Sequence, residues 1–118
     1  MDLKTAIKTY QFAERAKSEL IVCSQLLNAL AGFPEQERPG AKRMLLMVIE
    51  SVRSELEFAF RDTERVEFKK GIGFLNEVIS LSESDQYGSA VLKLSEAISA
   101  ATTAAQGAWK VLADNGLL

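Results

Sequence analysis

The chain of 118 residues carries 14 Lys and Arg against 16 Asp and Glu, no His and one Cys, and 47% of it is apolar. This length fits a single domain, residues 1–118, and the composition is that of an ordinary soluble globular protein rather than a disordered or collagenous chain. A net charge of -2 with cations interleaved among Glu offers no polyanion-binding patch and excludes nucleic acid as a partner. The lack of His removes Ser-His-Asp and Cys-His nucleophiles, His-ligated zinc and the Glu-x-x-His signature of di-iron bundles.

A first helix is predicted over residues 2–31. Asp2 can cap it, and Leu3, Ala6, Ile7, Tyr10, Ala13, Leu20, Leu27 and Ala31 recur at helical spacing. Its last turns, "LIVCSQLLNALA" (Leu20 to Ala31), are apolar nearly all round, so this end needs cover from more than one neighbour. The run is shorter than the ~20 residues of a membrane span and carries Ser24, Gln25 and Asn28, so no membrane is implied. Cys23 has no partner for an internal disulfide and is expected as a buried, inert thiol. "MDLKTAIKTYQ" lacks the apolar core of a secretory signal, which makes cytoplasmic location the default expectation.

The loop chemistry of "GFPEQERPG" (Gly32 to Gly40), with both prolines of the chain, ends that helix. Beyond it, positions 45, 49, 52, 56, 60, 63, 67, 71, 74, 78 and 81 fall within about 100° of one another on one straight helix, at 100° per residue. They are apolar except at Thr63, Glu67 and Gly71. A turn would have no reason to keep this phase, and Asp62-Thr63 is a thin turn signal. One long helix over 39–82 is therefore predicted, weakest and open to a kink or break near residues 62–73, where Gly71 and Gly73 each cost up to about 1 kcal/mol. The neighbouring face carries Glu50, Arg53, Glu57, Arg61 and Glu64 as a salt-bridge ladder, then turns apolar at Phe68, Ile72, Leu75 and Ile79.

The last helix is predicted over 85–115, from the capping residues of "SESD" to Asn115-Gly116. Tyr87, Val91, Leu94, Ile98, Ala101, Ala105, Ala108 and Leu112 form a coiled-coil-like seam. Small residues fill "SAATTAAQGA" (Ser99 to Ala108), which lets a neighbouring backbone approach closely. The aromatic, small, large, small spacing of Tyr87, Ala90, Leu94 and Ala97 resembles the second helix of a tetratricopeptide repeat. It covers one hairpin, with no second copy at a period of 34 residues. That resemblance implies an adaptor whose C-terminal hairpin grips a peptide, with Tyr87 or Trp109 exposed.

The expected fold is all-α: an antiparallel bundle of three long helices, or a four-helix up-and-down bundle if the middle helix is broken. Glu64 and Glu67 are the only carboxylate pair spaced to hold Mg²⁺ on one helix side. All-α nucleotide pyrophosphohydrolases use such a Glu-x-x-Glu together with a second carboxylate pair on a following helix, and Glu77, Glu83 and Asp85 do not supply one. No other metal site and no cofactor is implied. The favoured expectation is a non-catalytic structural or protein-interaction bundle, paired as a homodimer. Its interface is expected at the second apolar stripe (Phe68, Ile72, Leu75, Ile79) with the aromatics Tyr87 and Trp109, helped by the apolar end of the first helix.

Overall fold

A computed structural model describes all residues, 1–118. Four helices follow in order: α1 (Leu3–Leu30), α2 (Arg38–Thr63), α3 (Val66–Glu83) and α4 (Tyr87–Asp114). Each packs on its neighbours in sequence, and α4 closes the ring on α1, while the backbones of the diagonal pairs α1/α3 and α2/α4 stay apart. The result is an up-and-down four-helix bundle measuring 54 × 22 × 19 Å. Polar bridges fix the antiparallel registers: Lys8–Asp62 (3.3 Å) and Arg15–Glu55 (2.9 Å) between α1 and α2, Arg53 to Asn76 (2.9 Å) between α2 and α3, and Lys93–Glu77 (3.8 Å) between α3 and α4.

The helix ends follow local chemistry. Asp2 accepts the Thr5 amide at 2.7 Å and so satisfies one of the free donors of the first turn of α1. Pro39 lies in the first turn of α2, where its missing N–H costs nothing. Arg38 ties the preceding loop to this turn by donating to the Phe33 carbonyl at 3.0 Å. At the end of α4, Gly116 takes φ 73° and the Leu117 amide returns to the Leu112 carbonyl at 2.9 Å, a Schellman-type stop.

The continuous middle helix expected over 39–82 is not formed; the four-helix alternative is. Glu64 adopts the left-handed conformation (φ 56°) and Arg65 the extended one (φ -78°, ψ 126°), so the chain reverses in two residues. Thr63 anchors the corner: its hydroxyl donates to the Ala59 carbonyl at 2.8 Å and accepts the Arg65 amide at 3.3 Å. The buried residues explain why the phase looked unbroken. On α2 they are Leu45, Ile49, Val52, Leu56, Ala59 and Thr63; on α3 they are Phe68, Gly71, Leu75, Val78, Ile79 and Ser82. Projected on one wheel, these two sets point about 100° apart. The second stripe is thus the core face of a separate helix. Phe74 and Leu81, which seemed to extend the first stripe, lie half-buried on its flank.

Along α1 and α4 the core is built from small side chains. Ala6, Ala13 and Ala16 of α1 and Ala97, Ala101, Ala104, Ala105 and Ala108 of α4 are all buried. Little area per residue is available there, so close approach supplies the contact instead. Phe68, 1% exposed, is the largest side chain sealed in the core, and it meets Phe12 edge-on at 6.4 Å.

Candidate interaction surface

The apolar end of α1 and the first half of α2 share one outward face. On α1, Leu26, Ala29, Leu30 and Phe33, the last just past the helix, form one wall of a groove of about 290 Å³; Ala41, Met44, Leu45 and Val48 of α2 form the other. Every residue lining it is apolar. The face is exposed: Met44 is 71% and Met47 65% accessible, and Val22, Leu26, Phe33 and Val48 are each exposed beyond a third. Taking about 200 Å² for a large side chain, these six present on the order of 500 Å² of apolar surface, within the roughly 300–600 Å² of the largest patch on a typical monomer, which often serves function. No Asp, Glu, Lys or Arg occurs between Leu20 and Gly32 or between Met44 and Ile49.

Below this face three charges are clustered. Arg15 donates to Glu19 at 3.0 Å and forms an ion pair with Glu55 at 2.9 Å, so one cation holds two carboxylates. Burial and the adjacent Glu19 carboxyl push Glu55 above the usual carboxylate range, outweighing the opposite pull of Arg15. At the other end, Asp85 (φ 60°) accepts from Lys42 at 3.0 Å and from the Tyr87 hydroxyl at 2.7 Å, fastening the α3–α4 turn to the start of α2. Those hydrogen bonds hold Asp85 below its ordinary value, while burial and Asp85 push Tyr87 up to about 12.

The residues singled out from the sequence are placed differently from one another. Phe68, Leu75 and Ile79 are buried in the chain's own core and Ile72 packs against it, so a partner would not meet that stripe. The physical reason is the turn at Glu64–Arg65, which aims α3 inward. Tyr87 is half-buried and held by Asp85, whereas Trp109 is 51% exposed and lines a groove between α1 and α4 with Tyr10, Lys17 and Gln106. Glu64 and Glu67 do not share a helix: Glu64 is the left-handed cap of α2 and Glu67 lies in the first turn of α3. The Glu-x-x-Glu geometry of a Mg²⁺ site is therefore lost, and nowhere do three or more Asp, Glu, Cys or His side chains converge.

The expected ladder survives only as Arg53–Glu57 at 3.9 Å, because Arg53 turns to Asn76 and Arg61 lies over the Phe58 ring at 6.0 Å. Cys23 is buried, and desolvation pushes its thiol up to about 11, so it is a core residue without nucleophilic character at neutral pH. No helix is long and apolar enough to cross a membrane. Missing from the sequence reading were Met44, Met47 and Val48; their signal was the uncharged run "MLLMVI", Met44 to Ile49, read there only for its inward half. Compared with family models, curated proteins and solved structures, the chain matches none.

Proposed function

We propose that this chain is a non-catalytic protein-interaction bundle that pairs with a second copy of itself through the outward face of α1 and α2. The exposed, uncharged groove and its rim carry the reading. Two copies would remove about 1,000 Å² of surface from water, the lower bound for a specific interface. A second copy fits because a twofold interface sets a surface against itself, and a patch without charge meets no like charge there. Association of moderate strength is expected, on the order of 10 µM, since an interface of this area has little surplus over the entropy of docking.

Val22→Lys and Met44→Lys each place a cation in the middle of the face. Both variants should keep the helical circular dichroism and unfolding midpoint of the monomer while losing the dimer in sedimentation. If both variants associate like the parent chain, the face is not the interface.

A second reading has its own observation, the exposure of Trp109 in the α1–α4 groove. It keeps the adaptor function but moves the docking site from the α3–α4 hairpin to α1 and α4. A partner seated there would shield the single indole and shift its emission to shorter wavelength. An emission spectrum that does not change when a bound partner is added would remove this reading.

A further inference from the structure

Resting on the dimer reading above, we infer that the two copies pair with their α2 helices antiparallel about a twofold axis beside Met47, with Arg43 of each chain meeting Glu50 of the other.

Within two turns of Met47, α2 carries Lys42, Arg43, Glu50 and Arg53. Lys42 is engaged with Asp85 and Arg53 with Asn76, both toward α3 and its turn, and Arg53 also with Glu57 along α2. Arg43 and Glu50 are exposed and make no ion pair within the chain. They project within about 20° of one another on the wheel, and Met47 lies between them about 40–60° toward the groove. Seven residues separate the two charges, which is about 10.5 Å along the helix.

An antiparallel pairing centred between residues 46 and 47 has a simple property: position i faces 93 minus i. Arg43 then faces Glu50 of the second copy, and Glu50 faces Arg43. A single choice of axis makes two ion pairs and opposes no like charges on this flank. Shifting the register by one heptad separates the pairs, and a parallel pairing sets Arg43 on Arg43 and Glu50 on Glu50. Charge thus selects one orientation, while apolar contact supplies the attraction.

The same axis places Met47 beside its symmetry mate and brings Val22, at the same height on α1, toward the second copy's α1. That height follows from the Lys8–Asp62 and Arg15–Glu55 bridges, which pair residue n of α1 with residue 70 minus n of α2. The long, unbranched Met44 and Met47 side chains can then enter the second copy's groove, an adaptable filling that a branched residue would not give. Two helices from each chain would form a second four-helix layer across the interface.

Charge reversal tests this register separately from dimerisation itself. Arg43→Glu and Glu50→Arg should each weaken self-association about tenfold, and the double variant should recover it. An equimolar mixture of the two single variants should form heterodimers tighter than either homodimer, seen by native mass spectrometry of one isotopically labelled and one unlabelled chain. A parent chain that dimerises while both reversals leave its dissociation constant unchanged overturns the register but not the dimer. A parent chain that stays monomeric at all concentrations overturns both.

Discussion

Gly71 of α3 lies directly against Leu56 of α2: a Cβ at position 71 would stand 3.1 Å from the Leu56 Cδ1 atom. That contact sets the closeness of the α2–α3 hairpin, which turns in only two residues. Gly73, two positions along, faces open space. Both glycines carry the same cost in helix propensity, but only one is needed. Gly73→Ala is expected to raise stability by about 0.5–1 kcal/mol. Gly71→Ala should gain less or lose outright, because Leu56 is fully packed and must shift. Urea denaturation of the two variants gives the comparison; equal gains at both sites would mean that the helices are not in close contact at Gly71.

Glu64 occupies a left-handed corner that an ordinary side chain enters at a cost of about 1 kcal/mol. Glu64→Gly relieves that cost, less the extra freedom glycine has in the unfolded chain, so a net gain of a few tenths to about 1 kcal/mol is expected. Within a continuous helix the same substitution would lose about 1 kcal/mol. The sign of the change in melting temperature therefore reports the turn: a rise supports the hairpin, and a fall contradicts it.

How far the sequence revealed this architecture depends on which residue is asked. The all-α class, the Asp2 cap, the loop that ends α1 near Gly32 and the Asn115-Gly116 stop were each legible from local residue chemistry, although that loop closes at Glu37 and Arg38 to Gly40 already belong to α2. The hairpin at Glu64–Arg65 was not, because the turn uses neither Gly nor Pro and draws its stability from packing on both sides. Evidence for it was nevertheless present in the switch of apolar face at Phe68. It was read as a second buried side of one helix, whereas Phe68 and Leu75 define the only core face of another. That error displaced the expected interface as well. Once α3 encloses its own stripe, the unpartnered apolar surface is at α1 and α2, of which the all-round apolar end of α1 had given half.

Glu55 connects the edge of that surface to pH. Its carboxyl is held above the ordinary value by burial first and the neighbouring Glu19 second. A carboxyl raised in the folded state opposes folding when charged, so the penalty is complete above the raised folded value. It shrinks as pH falls through that value and disappears below the ordinary range near pH 4. Glu55→Gln removes the charge and leaves Arg15 with Glu19. The variant should be modestly more stable than the parent at pH 7, with the two denaturation curves converging toward pH 4. A variant less stable than the parent at pH 7 would show that the Arg15 ion pair outweighs burial.

The central claim is that the α1–α2 face is covered by a second copy. Its most direct test is the solution mass by sedimentation across a concentration series. The chain mass is 13.0 kDa, so a species of twice that mass is expected at about 100 µM, dissociating to monomer in the low micromolar range. A mass of 13.0 kDa sustained to several hundred micromolar, with the bundle fully folded, would contradict it.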